Sequence, residues 1–201
     1  MKIAALIIGI DGWERYTLPL VQSILRHEPD TEIVVIDNGS AIPYPPYPYV
    51  HYTVRTCYAK AINTAAALSP DADWYVILSN DVVCTRKYTG LFRQLDKNNI
   101  YGDLRRLGEG GIYSHIVFAM GWCVIASRDL FYDVGGWDEN YVVSSWEDVD
   151  FSFTAHNRGY KLFALDLPFT HLDQRQRFAL PEFVGTHERN QMYFKSKWGI
   201  A

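Results

Sequence analysis

The chain contains an apolar run that ends in polar residues, Trp74-Tyr75-Val76-Ile77-Leu78-Ser79-Asn80-Asp81. The apolar part predicts a buried strand. Asn80 and Asp81 offer the oxygen ligands that hard divalent cations prefer. Taken alone, an Asn-Asp pair after a strand is more typical of an ordinary turn. The other predicted strands change this interpretation.

Two further apolar runs have the same pattern. Ile3–Ile8 closes at Gly9, and Ile33–Ile36 closes at Asp37. Unbroken runs rich in β-branched residues are typical of strands that are buried on both faces. We therefore expect three central strands, each followed directly by glycine or by polar residues.

Amphipathic helices are predicted between these strands. Thr17–His27 and about Tyr58–Leu68 both carry apolar residues at helical spacing, and Pro29 and Pro70 lie beyond their ends. Strands that alternate with helices predict an α/β fold with a mainly parallel, Rossmann-like central sheet flanked by helices.

In such a sheet, ligands bind outside the carboxyl ends of the strands. The residues predicted to meet at this edge are Gly9, Asp11, Asp37, Asn38, Asn80 and Asp81. Asp37 could accept the imide N–H of a uracil-type base, and Asp81 could hold a metal on a diphosphate. The chain lacks both Gly-x-Gly-x-x-Gly after the first strand and any Gly-Lys-Ser/Thr, which disfavours a dinucleotide dehydrogenase and a P-loop enzyme.

Composition is consistent with a single α/β domain of 201 residues, of which 48% are apolar. The net charge of −4 argues against a nucleic-acid partner, and it implies that a bound diphosphate needs a cation. Three cysteines without Cys-x-x-Cys spacing indicate a reducing location, and the first apolar run is too short to cross a bilayer. We expect a cytoplasmic protein without a transmembrane segment.

Three segments lie outside this pattern. The Pro/Tyr-rich stretch Ile42–Tyr49 predicts a stiff surface crossover between strands rather than a recognition motif. The glycine-rich, charged stretch Leu104–Tyr113 predicts a mobile loop over the site. Ile116–Ala126 predicts one long strand, or two short strands interrupted at Gly121.

A second acidic cluster, Glu147-Asp148-Val149-Asp150, has two explanations. Ser145 as N-cap with Asp148 three residues later would make a capping box. Alternatively, a carboxylate at a helix start that faces a cleft could accept a proton from a sugar hydroxyl. Three carboxylates in four residues exceed what a cap needs.

Taken together, five motifs stand in the order found in inverting nucleotide-sugar glycosyltransferases of family 2, which the chain resembles from residue 3 to about 172. They are Ile33–Ser40, Tyr58–Asn63, Leu78–Asp81, Gly135–Asp138 and Ser145–Asp150. The resemblance implies a GT-A fold. More narrowly, Val143–Ser152 and His171–Phe178 resemble the N-terminal glycosyltransferase domain that large algal viruses encode for capsid glycosylation.

The resemblance implies roles for residues at matching positions. Asp37 matches the acid that reads uracil, and Asp81 matches the last acid of the metal-binding Asp-x-Asp signature. The first acid of that signature is Ser79 here, so Mn²⁺ or Mg²⁺ would depend on Asp81, the diphosphate, water and His171. Tyr58 and Asn63 belong to a motif assigned to donor binding.

The motif Ser145–Asp150 implies the reaction mechanism. Asp148 matches the catalytic base, with Glu147 as its neighbour, and the implied reaction is a single displacement with inversion. Residues from about 1 to 82 would bind the nucleotide sugar, and residues from about 115 to 180 would bind the acceptor. Two roles remain possible for Trp122, Trp137 and Trp146, which could stack on sugar rings or pack in the core. Arg175 and Arg177 could bind the diphosphate or be solvated.

The predicted partners are a nucleotide-diphosphate sugar, with UDP as the expected nucleotide, and a glycan or glycoprotein acceptor. If the chain is viral, it would act in the host cytoplasm. Two other classes remain as alternatives. A nucleotidylyltransferase usually has a basic, glycine-rich loop after its first strand, which is absent here. A non-catalytic sugar-binding module would not require Asp148.

Overall fold

The computed structural model describes residues 1–107, 115–172 and 183–200. Its strands are β1 (Ile3–Gly9), β2 (Glu32–Asn38), β3 (Val50–Thr53), β4 (Trp74–Ser79), β5 (Val82–Cys84), β6 (Asn99–Arg106), β7 (Val117–Ser127), β8 (Lys161–Ala164) and β9 (Phe169–His171). Its α-helices are α1 (Leu18–His27), α2 (Tyr58–Ala67), α3 (Thr89–Phe92), α4 (Arg128–Val134), α5 (Glu147–Asn157) and α6 (Thr186–Trp198). A π-helical turn, Trp13–Thr17, precedes α1.

The central sheet has the strand order β3-β2-β1-β4-β7-β6-β8. Strands β1 to β4 run parallel, β7 is antiparallel to both of its neighbours, and β8 is parallel to β6. Strands β5 and β9 form a separate antiparallel pair. The predicted α/β fold with a mainly parallel sheet is confirmed.

Helices cover both faces of this sheet, which explains why β1 is buried along its whole length. Alternate residues of β1 point to opposite faces: Leu6 packs in the core under α2, α4 and α5, while Ile7 packs in the core under α1 and α3. A third apolar cluster, which includes Tyr141, Trp146 and Phe194, attaches α6 to the start of α5.

Several element boundaries differ from the predictions. Helix α1 begins at Leu18, because the preceding residues form the π-helical turn, and α2 ends at Ala67. The segment at 116–126 is one strand that continues through Gly121. The predicted loop at Leu104–Tyr113 is wrong for residues 104–106, which pair with β7 as part of β6. Residues 108–113 of that prediction lie outside the described residues.

The Pro/Tyr-rich stretch connects β2 to β3, as predicted, but its Tyr44 is buried. The capping box with Ser145 as N-cap, one of the two explanations for the acidic cluster, is not formed. Trp146 is the N-cap residue of α5, and its side chain makes no capping hydrogen bond. In the described ranges, none of the helices is both long enough and apolar enough to cross a membrane.

Candidate active site

The carboxyl ends of β1, β2 and β4 meet at one edge of the sheet. Gly9 is in register with Asp37 on β2, and Ile8 is in register with Ser79 on β4. Because the three strands are parallel and adjacent, the polar residues that follow them gather at this edge, as the sequence predicts.

A buried polar network closes one side of this edge. The Asn80 amide nitrogen lies 3.1 Å from Thr17 Oγ1 and 3.3 Å from the Tyr44 hydroxyl, and that hydroxyl donates to the Asp11 carbonyl at 2.8 Å. Burial raises the pKa of Tyr44 to about 12, so the phenol stays protonated as a donor. A Cβ at Gly9 would lie 2.4 Å from the Tyr44 oxygen, so only glycine leaves room for it.

Asp37 and Asp11 organise the loop after β2. The Asp37 carboxylate is 2% exposed and accepts the backbone N–H groups of Ser40 at 3.0 Å and Tyr44 at 2.9 Å. Asp11 accepts the N–H of Ala41 at 2.8 Å with its side chain and adopts a left-handed φ of 52°. Base recognition by Asp37 stays a prediction, and its loop contacts are an additional role.

Two asparagines that were predicted to bind the sugar donor hydrogen-bond to backbone groups of the protein. Asn38 donates to the Thr56 carbonyl and accepts the Thr56 N–H, both at 3.0 Å. Asn63 donates to the Trp137 carbonyl at 2.8 Å and accepts its N–H at 2.9 Å. The structure therefore gives Asn63 a contact with the loop after α4 and does not bring it to the group around Asp81.

Asp81 pairs with the predicted late histidine. His171, on β9, has its Nε2 3.1 Å from Asp81 Oδ2, and the hydroxyl of Ser79 donates to Asp81 Oδ1 at 2.6 Å. The pairing of β5 with β9 brings these distant residues together, because Val82 is in register with His171. Ser79, which replaces the first acid of the signature, thus orients the second acid.

The Asp81–His171 pair fits a divalent cation. The separation of Nε2 and Oδ2 is that of a hydrogen bond, and two ligands at about 2.1 Å and at right angles on an octahedral ion would also lie about 3 Å apart. The other ring nitrogen of His171 is buried and has no hydrogen-bond partner in the described part of the chain. In that part of the chain, no group of three or more His, Cys, Asp or Glu side chains could hold a metal ion.

Asp148 lies at the start of α5, against β7. One of its carboxylate oxygens accepts the Gly121 N–H at 2.9 Å, and the other accepts the Val149 N–H at 2.9 Å. A Cβ at Gly121 would lie 3.2 Å from that first oxygen, so glycine permits this close approach. These backbone bonds set the direction of the carboxylate.

Glu147 is more buried than its neighbour. It is 3% exposed, accepts the Ser144 hydroxyl at 2.7 Å with one oxygen, and has no partner among the described residues for the other. Burial, and next the negative charge of Asp148, raise the pKa of Glu147 to about 7.

Tyr58 connects the two acidic groups. Its hydroxyl donates to the Gly121 carbonyl at 3.3 Å. Burial raises its pKa well above the usual value, and the charges of Glu147, Asp81 and Asp148 add to this increase. Tyr58 and Asp148 therefore contact the same residue of β7, because Asp148 accepts the Gly121 N–H.

The three candidate stacking tryptophans differ in exposure. Trp137 is 1% exposed and stacks on Phe151, and Trp146 is 4% exposed and packs on Phe194. Both belong to the core and cannot stack on a sugar. Trp122 is half-buried and lines a cavity of about 460 Å³ together with Asp103. Arg175 and Arg177 lie outside the described residues.

No protein-family model matches this sequence, and no curated protein matches it. Solved structures match its fold. GalNAc-T7 with UDP, GalNAc and Mn²⁺ is similar with a TM-score of 0.74 at 13% identity, over 97% of this chain and 47% of that chain. The mannosyltransferase PcManGT from Pyrobaculum calidifontis, in complex with GDP-Man and Mn²⁺, has a TM-score of 0.65 at 14% identity, over 89% of this chain and 59% of that chain.

A third similar structure is the catalytic domain of Drosophila beta1,4galactosyltransferase 7 in complex with xylobiose, with a TM-score of 0.60 at 16% identity over 92% of this chain and 79% of that chain. The chain has the GT-A fold. At these identities the likeness establishes the fold and not the activity. The chain spans about half the length of the GalNAc-T7 structure.

The sequence analysis missed two groups of residues within this GT-A fold. Tyr44 and Thr17 form the network behind Asn80, and Asn190 on α6 contacts the loop before Glu147. No local pattern marks these residues, because each acts through a partner that is distant in the sequence.

Proposed function

We propose that the chain is a metal-dependent inverting glycosyltransferase that moves a sugar from a nucleoside diphosphate, with UDP as the predicted nucleotide, to a hydroxyl of a glycan or glycoprotein. The observation that carries this proposal is that two adjacent residues of β7 contact the two acidic groups: the Gly121 N–H donates to Asp148, and Trp122 stacks on His171, which pairs with Asp81. One acid is paired with a histidine, and the other is directed by backbone N–H groups. These are the two acidic functions that such a transfer needs.

Asp148 is the proposed general base. It removes the proton from the acceptor hydroxyl while that oxygen bonds to the anomeric carbon, and the bond from this carbon to the diphosphate oxygen breaks with its electron pair on the diphosphate. Attack from the face opposite the nucleotide inverts the configuration. Glu147 is the next candidate for the base, because its raised pKa lies near neutral pH.

Asp81 and His171 are the residues that would hold Mn²⁺ or Mg²⁺. The ion supplies positive charge that stabilises the departing diphosphate. Among the structures of similar fold, one contains UDP with Mn²⁺ and another contains GDP-Man with Mn²⁺, which supports a divalent cation and a nucleotide-sugar donor.

The nucleotide would lie beside the polar network of Gly9, Asp11, Asp37 and Asn80, within the predicted donor part at residues 1–82. In this proposal Asn38 and Asn63 shape the site through the loops that they hold. The acceptor would approach from the part at residues 115–180, where Trp122 offers a half-buried indole. The resemblance to viral domains makes capsid glycoproteins the first acceptors to test.

The decisive experiment is a screen of nucleotide sugars for Mn²⁺-dependent hydrolysis and transfer, preceded by calorimetric titration of UDP and GDP with and without Mn²⁺. We expect one nucleotide diphosphate to bind only with the cation, and its sugar conjugate to be hydrolysed slowly in the absence of acceptor. Anomeric NMR of the transfer product then tests inversion.

The same experiment separates the alternatives. A nucleotidylyltransferase would consume a nucleoside triphosphate and release pyrophosphate. A non-catalytic module would bind a nucleotide sugar or a glycan and leave it intact. Either outcome would contradict the proposed function.

A further inference from the structure

The backbone directly before the α5 acids is unusual. Val143, Ser145 and Trp146 have φ angles of 56°, 107° and 73°. Residues with a Cβ rarely adopt this left-handed region, and they stay there only when the surroundings hold them. We refer to residues 142–146 as the strained segment.

Asn190 on α6 makes three hydrogen bonds to the strained segment. Its side-chain oxygen accepts the Val142 N–H at 3.0 Å, and its nitrogen donates to the carbonyls of Val142 and Ser145, both at 2.9 Å. Asn190 is 1% exposed, so water does not compete for these groups. One buried amide thus contacts both Val142 and Ser145 of the strained segment.

Two further contacts hold the same segment. His187, one turn earlier on α6, has its Nδ1 2.9 Å from the Ser145 hydroxyl, and the Trp146 indole N–H points to its Nε2 at 3.4 Å. From another direction, the Tyr58 N–H donates to the Val143 carbonyl at 2.7 Å. The segment is therefore held between α6 and the start of α2.

This segment leads directly into the two acids. Its Ser144 hydroxyl donates to Glu147, and α5 begins at the next residue after Trp146. On the other side of the acids, Asp150 accepts the Lys197 ammonium and the Trp198 indole N–H, both at 2.7 Å. Helix α6 thus holds the chain on both sides of Glu147 and Asp148.

We propose that Asn190 is a positioning residue that keeps residues 142–146 in their left-handed conformation and thereby aims the Glu147–Asp148 pair at the sheet edge. The catalytic meaning of this role rests on the proposed function. The conformational role does not, because it follows from the hydrogen bonds alone.

The test uses Asn190→Ala, which removes all three bonds, and Met192→Ala as the matched control at a 70% exposed position on the same helix. The first measurement is hydrogen exchange of a peptide spanning 142–150 in the absence of substrate. We expect exchange about tenfold faster in Asn190→Ala, and unchanged in the control. The second measurement is the steady-state rate of donor hydrolysis or transfer. We expect kcat to fall about 10–100-fold, while the donor KM and the Mn²⁺–UDP affinity stay the same.

The two measurements test the conformational role and the catalytic role separately. Wild-type exchange in Asn190→Ala would overturn the inference, whatever the activity. Faster exchange with an unchanged kcat would reduce Asn190 to a structural residue and overturn its positioning role. A wild-type protein that turns over no donor would contradict the proposed function, and the exchange result would still decide the conformational role. If Asn190→Ala does not fold, Asn190→Asp serves in both measurements, because it keeps the acceptor for Val142 and removes both donors.

Discussion

The indole of Trp122 lies parallel to the imidazole of His171, with ring centroids 5.2 Å apart and an angle of 5° between the planes. The stack keeps the imidazole in the plane where its Nε2 faces Asp81. The indole is held in turn, because its N–H donates to Asp103 at 3.4 Å. Groups that orient a metal-ligating histidine tune the affinity of the site without touching the ion.

Trp122→Ala is therefore expected to weaken Mn²⁺-dependent UDP binding about tenfold, since the imidazole loses its orientation. Trp122→Phe keeps a flat ring and should retain most of the affinity. Isothermal titration at saturating Mn²⁺ measures both variants. Equal affinity in Trp122→Ala and wild type would show that the stack does not orient the ligand.

Asp81→Ala should abolish the Mn²⁺ dependence of UDP binding, because among the described residues Asp81 is the acid that pairs with His171. The fold should persist, since the residue lies at the edge of the sheet. Calorimetry with and without Mn²⁺ gives the affinity, and thermal unfolding checks the fold. Asp71→Ala, at an acid whose side chain is 82% exposed, is the control and should behave like wild type. Undiminished Mn²⁺-dependent affinity in Asp81→Ala would remove Asp81 from the metal site.

Asp148→Asn should lower turnover by roughly 10²–10⁴-fold, with donor affinity nearly unchanged. It should also lower the free energy of unfolding by about 1–3 kcal/mol, because one amide oxygen cannot accept both the Gly121 and the Val149 N–H groups. The amide oxygen can still accept the Gly121 N–H, but the group no longer takes a proton at neutral pH. Initial-rate kinetics on the identified donor and acceptor measure the loss. Near-normal transfer would exclude Asp148 as the base and direct attention to Glu147.

Glu147→Gln should stabilise the protein at alkaline pH. The Glu147 pKa rises from 4.5 to about 7 on folding, so the folded state holds an extra proton between these pH values and loses stability as pH rises through this window. A neutral amide avoids this loss, which amounts to about 3 kcal/mol above pH 7. Thermal unfolding at pH 5 and pH 8 is the test: the gain over wild type should be large at pH 8 and small at pH 5. An equal gain at both pH values would contradict the raised pKa.

Asp37→Asn separates base recognition from loop support. The carboxylate accepts two backbone N–H groups, and an amide that offers one oxygen must leave one of them without a partner. We expect the free energy of unfolding to fall by about 1–3 kcal/mol, and nucleotide affinity to fall by a similar amount. Urea titration and calorimetry measure the two losses. A loss of affinity without a loss of stability would mean that Asp37 acts on the base alone.

The order of strands and helices could be predicted from two patterns. A strand that is buried on both faces requires an unbroken apolar run, and a helix that is buried on one face requires apolar residues at helical spacing. The meeting of Asp37 and Asp81 at one edge followed from the parallel direction of their strands. Boundaries such as the start of α1 were predicted less well, because a π-helical turn at Trp13–Thr17 precedes it and buried Thr17 donates to Tyr44, which is 27 positions away.

The roles of individual polar side chains were harder to predict. Asn38 and Asn63 are of a residue type that often binds ligands, yet their side-chain amides hydrogen-bond to the backbone of loops. Trp137 and Trp146 have the composition of sugar-stacking residues, yet they are buried in the core. The residue type determines which hydrogen bonds and contacts a side chain can make. The neighbours that surround it in the folded protein determine which of them form.

Local sequence was sufficient to define the α/β architecture and the acids at its carboxyl edge, because strand burial, helix amphipathicity and polar strand ends are properties of adjacent residues. Only the tertiary structure decided that Asp81 faces His171, that Asp148 lies against Gly121 and that Asn190 holds the segment before Glu147. These contacts join residues 90, 27 and 45 positions apart along the chain. They depend on strand pairing and helix packing across the whole domain, which no local pattern encodes.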